Sequence, residues 1–449
     1  MTIRPLLVPC LIATLVAACG RDDRAAATTA AAADTPVTFQ VFGDPAEIAA
    51  YKALVTAFEA ENPGRRVTLI PVGKQSDHMT KLSAAYASGK GPDVFVLNFR
   101  RFGQFAERGA LEAVGPALAA RGWSEQDYYE PAIEAFRQDG TLMCVPQNVS
   151  SLVVYYNRAL FRRFDVPYPS PHWTYFEFSN AARKLTRDTD GDGRIDIYGV
   201  ALEPTLIRLA PFIWSAGGDI VNDVRRPTML TLDRPDALRA LGVVRSLSGP
   251  QGVTPPLAAH QAEDEDARFA RGGVAMLFQS RRFTTTLRAR KDLDWDVAPF
   301  PTLRKPVSAL HADGYCLSRN TAHRDAALDF IRYAVGAEGQ ALMTRTGRLV
   351  PSLKSVAESP VFLDPEQPPA SARVFLDAIP LLRRTPNIAA WHEIESRADT
   401  ILEEWFFEPP VGAGAVDPDA GGGEGMALAI RLRDAVQPLL LRDLQQGKP

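Results

Sequence analysis

Residues 37–42, VTFQVF, alternate apolar and polar positions, the period of a half-buried strand. The period then changes. In EIAAYKALVTAFEAENPG the apolar residues Ile48, Tyr51, Leu54, Val55 and Phe58 recur at helical spacing, and Asn62-Pro63-Gly64 predicts the stop. RRVTLIPV returns to strand. HMTKLSAAYASGKG predicts a helix ending at Gly89 and Gly91, and PDVFVL is a short apolar run of the buried-strand kind. This order predicts an α/β fold with a largely parallel sheet. LMCVPQNVSSLVVYYN reads as extended, with Tyr155 and Tyr156 as core residues, and NRALFRRFDV as a helix. A helical stretch, WTYFEFSNAARKLTRD, follows. LDFIRYAVGAEGQALMTRTG predicts two helices around Gly336, and MALAIRLRDAVQPLLLRDL an amphipathic last helix. The preceding VGAGAVDPDAGGGEG cannot pack a core and reads as a mobile loop.

Composition narrows the class. A chain of 449 residues suggests two domains, or three, at roughly 100–200 residues each. The net charge of −3 gives no bulk attraction to nucleic acid or to an anionic membrane. Residues 1–18, MTIRPLLVPCLIATLVAA, carry an early Arg4 and an apolar run too short to span a bilayer, as an export signal does. The sequence Val16-Ala17-Ala18-Cys19-Gly20 resembles the lipobox of bacterial lipoproteins, which makes Cys19 the lipidated residue. Residues 19–35 read as a flexible tether. That leaves Cys144 and Cys316 in the mature body, outside the cytoplasm, where thiols can oxidise.

The most conspicuous motif is DTDGDGRID at 188–196. Asp188, Asp190 and Asp192 hold the first, third and fifth places of an EF-hand-like loop. Gly193 supplies the sharp turn, Arg194 offers its carbonyl, and Asp196 stands ninth. The twelfth position is Gly199 rather than a bidentate Glu, so the EF-hand is incomplete. A structural calcium clip and a metal-free Asp/Gly turn both fit. The sequence holds no Gly-x-Ser-x-Gly elbow, no His-Glu-x-x-His and no phosphate-cradling glycine loop. The acidic run Glu263 to Asp266 reads as a solvated helix start. A non-enzymatic protein is expected.

Several segments in register resemble the extracellular solute-binding proteins of bacterial ABC transporters, of the group that captures sugars and oligosaccharides. They are VFGDPAEIAAYKALVTAFEAENPGRRVTLIPV, GKGPDVFVLNFRRFGQFAERGALEAV, GTLMCVPQNVSSLVVYYNRALF, WTYFEFSNAARKLT, RGGVAMLF, WDVAPFPT and AALDFIRYAVGAEGQALM. The resemblance implies a two-lobed α/β fold of the periplasmic-binding-protein type (type II), with ligand in a cleft between lobes joined by hinge strands. It implies a monomer that delivers its ligand to membrane permease subunits and faces the periplasm or the cell surface. Crossings are expected near Pro146–Ser150, His311–Tyr315 and Gly347–Ser352. One lobe then spans 36–145 plus 315–350, and the other 146–314 plus 351–449.

Cleft residues are expected at strand ends and crossings. These are Asp44, Asn98 to Arg101, Asn148, Trp214, Gln279, Ser280, Arg281, Asp313, Gly314, Tyr315 and Trp391. Tryptophans would stack on sugar faces, and planar polar groups would bind hydroxyls. The chain departs from the family's pattern where Arg101 and Arg281 stand. Two guanidiniums there could grip an anionic sugar, or could form surface ion pairs. Other solutes, such as glycerol phosphate, a polyamine or a peptide, remain alternatives, as does a sensor component with no transporter. A secreted polysaccharide-active enzyme is a more distant one. Because hinge strands in this fold run side by side, Cys144 and Cys316 are expected to meet, as a disulfide or a thiol contact.

Overall fold

The computed structural model describes residues 35–249, 252–408 and 422–446. The signal segment, Cys19 and most of the glycine-rich loop lie outside these residues. The strands, in chain order, are β1 (Val37–Phe42), β2 (Val67–Val72), β3 (Val94–Asn98), β4 (Arg137–Gln138), β5 (Thr141–Leu142), β6 (Cys144–Pro146) and β7 (Ser150–Ser151). There follow β8 (Val153–Asn157), β9 (Tyr198–Ala201), β10 (Val274–Gln279), β11 (Trp295–Ala298), β12 (Ser308–His311), β13 (Asp313–Leu317) and β14 (Leu382–Arg383).

Two sheets form the two lobes. The first has the order β2-β1-β3-β13-β6, and the second β11-β8-β10-β9. Strands β1, β2 and β3 are parallel, as the alternation of strand and helix demands, while β13 runs antiparallel to β3 and β6. A third small sheet, β14-β12-β7, takes β7 and β12 from the passages between the two and β14 from beyond β13. The chain leaves the first sheet at β6, passes through β7 and enters the second at β8. It returns through β12 into β13. Near Pro351 it runs beside the first passage, where Val149 N–H donates to the Val350 carbonyl at 3.0 Å. The segment after Pro351 touches both lobes. Lys354 Nζ donates to the Gln126 carbonyl, and Ser371 donates to Asp296.

Local chemistry sets the element ends. Asp44 caps the helix Pro45–Glu61 by accepting from the N–H of Ala46 and Glu47, and Pro45 suits the first turn. Asn98 caps the helix Phe99–Ala106. Thr174 and Glu177 form a reciprocal capping box on the helix Tyr175–Leu185. Gly217, at φ 103°, closes the helix Leu206–Ala216 in a backbone conformation that favours glycine. The last helix, Gly422–Gln446, begins earlier than the amphipathic pattern suggests.

Tyr155 is fully buried and Tyr156 nearly so, on opposite faces of the second sheet. Cys144 stands directly opposite Cys316 across β6 and β13, and the two form a disulfide with Cα atoms 4.3 Å apart. The two cysteines are 172 residues apart, and the loop they close contains every strand of the second sheet. Removing such a crosslink frees the unfolded chain more than the folded one. The double variant Cys144→Ser/Cys316→Ser is expected to lose about 2–5 kcal/mol of stability, read as a lower urea midpoint with the same bound-ligand profile.

Candidate functional site

Strand β3 ends at Asn98, and its side chain starts the helix that follows. That places Arg100 and Arg101 in the first turn, at the carboxyl end of the first sheet. Facing them is the helix Trp391–Phe407. Its residues His392, Glu395, Ser396, Asp399, Thr400 and Glu403 fall on one face by their 3–4 spacing. Glu203, Pro204 and Thr205 follow β9, and His260 completes the wall. These residues line a groove of about 400 Å³ between elements of the two lobes.

The groove is polar and strongly charged. Arg100 Nη1 donates to Glu395 Oε2 at 3.1 Å, joining its two sides. Arg101 Nη1 and Glu395 Oε1 are buried without a hydrogen-bond partner. Burial, with Arg100 adding repulsion, pushes the Arg101 guanidinium down to about 10. Asp399 accepts from Leu206 N–H at 2.7 Å, capping the neighbouring helix. Burial pushes its carboxyl up to about 6, and Glu395 adds to the effect. Arg208 holds Glu203 in place through Nε, at 3.2 Å, while its other nitrogens bond the Phe278 carbonyl and Gln279 Oε1. His260 Nδ1 lies 2.9 Å from Glu265 Oε1, which raises its pKa, and the ring rests on Phe407.

Of the residues expected in the cleft, the groove takes Arg100 and Arg101. Gln279 lies behind it, accepting from Arg208 and donating to Asp266. The Ser280 carbonyl accepts from the Tyr155 hydroxyl. Asp44, Asn98, Asn148, Asp313, Gly314 and Tyr315 gather at the hinge. There their polar groups mostly satisfy one another. The Asp313 carboxylate accepts from Asn98 Nδ2 at 3.0 Å and Asn148 Nδ2 at 3.1 Å. Asp44 pairs with Arg348, which also reaches Glu47 at 2.8 Å. Gly314 leaves no room for a side chain, since a Cβ would lie 2.8 Å from the Phe136 ring. Tyr315 is buried in the first lobe against Phe39.

Both tryptophans depart from expectation. Trp214 and Trp391 are 1% and 0% exposed and belong to the core of the second lobe. They begin or end helices whose apolar faces pack together, and burial claims the rings. The Arg383 guanidinium covers Trp214. Arg281 also departs. It does not line the groove with Arg101 but lies fully buried at a separate cavity. The acidic run does start a helix, Glu265–Ala270, capped by the exposed Asp264, but Glu265 itself is 5% exposed and lies 3.5 Å from Arg268 rather than on a solvated face.

The helix face from His392 to Glu403 was missed altogether. One signal was available. Glu395, Asp399 and Glu403 stack like charges at i, i+4 and i+8, an arrangement an isolated helix disfavours.

In the acidic loop, carboxylate oxygens of Asp188, Asp190 and Asp196 lie within 4.8 Å of one another. Asp192 and Arg194 fall outside that group. Asp192 instead accepts from Arg194 N–H, and Asp188 from the N–H of Gly191 and Gly193. The loop joins the helix Tyr175–Leu185 to β9, and none of its residues lines the groove.

Two α/β lobes, hinge strands and a polar groove between them define a ligand-binding protein of the two-lobed periplasmic class. The chain belongs to the bacterial extracellular solute-binding protein family, which it matches over residues 53–370. It is thus a bacterial solute-binding protein of the extracellular class. It is 21% identical over 416 residues to the galactooligosaccharide-binding protein of Bacillus subtilis, covering 90% of each chain. An ABC substrate-binding protein from Listeria monocytogenes in complex with cycloalternan superposes with a TM-score of 0.78 at 22% identity, covering 90% of this chain and 99% of that one. UgpB from Mycobacterium tuberculosis in complex with glycerophosphocholine gives 0.76 at 22% identity, covering 91% and 99%. Among the described residues, no helix is long and apolar enough to cross a membrane.

Proposed function

We propose that this protein captures a sugar or oligosaccharide in the groove between Arg101 and the helix Trp391–Phe407 and hands it to the permease subunits of an ABC importer. The groove's wall carries the reading. Its side chains offer both donors and acceptors, as a ring of hydroxyls requires. Among the residues lining the groove, Glu395 Oε1 is an unused acceptor and Arg101 Nη1 an unused donor. Lobe closure would bring ligand hydroxyls to both at once, and the closed form is stabilised by these extra contacts. The sugar ligands named for similar proteins support the same class.

The charge balance speaks against an anionic sugar. Glu203, Glu395, Asp399 and Glu403 outnumber Arg100 and Arg101, and Glu395 already engages Arg100. A neutral glycan is therefore the first reading. A solute with a cationic head is the second, favoured by the same carboxylates. Isothermal titration should show a neutral oligosaccharide binding, a matched uronate at least tenfold more weakly, and Arg101→Ala and Glu395→Gln each losing tenfold or more. Preference for glycerophosphocholine over every neutral glycan would favour the second reading. Tighter binding of the uronate would overturn the charge argument.

Two features outside the groove complete the proposal. Cys19 carries lipid after removal of residues 1–18, so the monomeric binding domain is tethered by residues 19–35. Cys19→Ala should move the protein from the membrane fraction to the soluble one, and unchanged partition would refute the anchor. The loop from Asp188 to Asp196 binds calcium as a structural clip, with Asp188, Asp190 and Asp196 as carboxylate ligands and Asp192 and the Arg194 carbonyl as further candidate ligands. Calcium would supply only charge neutralisation there. Adding it to chelator-treated protein should raise Tm, while Asp190→Asn abolishes the rise and leaves glycan affinity unchanged. An equal rise in that variant would exclude the loop.

A further inference from the structure

A buried guanidinium costs stability unless a carboxylate or a full set of hydrogen bonds compensates it. Arg281 is such a group. It is 2% exposed, its Nε donates to the Gly347 carbonyl at 3.0 Å, and its charge lies over the rings of Phe362 and Phe375, at 4.7 and 5.1 Å. Its Nη1 is buried with no hydrogen-bond partner. Burial pushes it down to about 9, and Arg288 adds repulsion.

Arg281 borders a cavity of about 460 Å³ that shares no lining residue with the groove of the glycan site. Two more guanidiniums line it. Arg288 is half-buried, with its Nε on the Pro368 carbonyl, and Arg345 is exposed at the end of the helix Ala337–Thr344. Asp364 is the single carboxylate on the wall. Three guanidiniums thus line the cavity against one carboxylate, and the most buried has a donor left over.

We propose that this cavity binds a small oxyanion of the phosphate or carboxylate class, held by Arg281, Arg288 and Arg345. Guanidiniums suit the task because their planar N–H forks match two oxygens at once. The cation–π contacts hold Arg281 in place without neutralising it. The position also has a consequence. Arg281 and Arg288 follow β10 of the second lobe. Arg345 ends a helix packed on Pro45–Glu61 of the first, and Gly347 belongs to a passage between lobes. A bound oxyanion would brace the hinge from a site separate from the solute groove.

Sodium phosphate and sodium citrate, each at an ionic strength held constant with sodium chloride, are titrated into the full chain by calorimetry, and melting is followed in parallel. Saturable binding of at least one anion is expected, with phosphate alone or citrate alone identifying the source. Arg288→Gln and Arg345→Gln should each weaken it at least fivefold. Neither residue is fully buried, so both variants should melt like the wild type in sodium chloride. Both anions also stabilise folded proteins by exclusion from their surfaces, an effect that does not saturate and that the variants would share. A rise in Tm of that kind alone, or affinity changed less than fivefold in both variants, overturns the proposal.

Discussion

The Asp313 carboxylate accepts amide hydrogens from Asn98, at the end of β3, and from Asn148, between β6 and β7. Asn148 in turn accepts from the Asp313 N–H, and Gln147 N–H donates to the Asp313 carbonyl at 2.7 Å. One residue therefore fixes the first passage between lobes, the second passage and the end of the strand that presents Arg100 and Arg101. Burial pushes the Asp313 carboxyl up, and the two amide donors act against that shift. Because Asn98 also starts the helix Phe99–Ala106, the position of the groove's guanidiniums follows from this node.

The groove illustrates how a binding surface can be built from charges that satisfy one another incompletely. Arg100 and Glu395 close a bridge between lobes, and Asp399 is spent on the Leu206 N–H. What remains is a small number of unused polar atoms at fixed positions. Such a site is preorganised for hydroxyls, since little must be broken before a ligand binds. The close approach of the lobes is visible at Gly103, where even a methyl group would strike the Asn387 carbonyl at 1.7 Å. A larger residue there would separate the helix carrying Arg101 from the segment leading to Trp391.

Much of the fold was legible because its signals are local. The strand at 37–42, the helix after Asp44, the buried strand before Asn98 and the two helices around Gly336 are all where periodicity and stop residues put them. The pairing of Cys144 with Cys316 was foreseen only through the likeness to a two-lobed family, since the two lie 172 residues apart. The site was much less legible. Strand ends gave Arg100 and Arg101, but the opposite wall comes from residues some 290 positions later in the chain, on a helix marked only by its row of like charges.

By itself, the sequence determined the alternation of strand and helix, the capping residues, the Asp/Gly loop and the family. Each of these depends on neighbours within a few residues or on patterns kept in order along the chain. Tertiary structure decided which chemistry faces the ligand. Trp214 and Trp391 went to the core because their helices bury them, and Arg281 went to a second cavity, against the rings of Phe362 and Phe375. The carboxylates of a late helix became the groove's wall. Burial and opposition across a cleft are properties of packed surfaces, and no single segment encodes them.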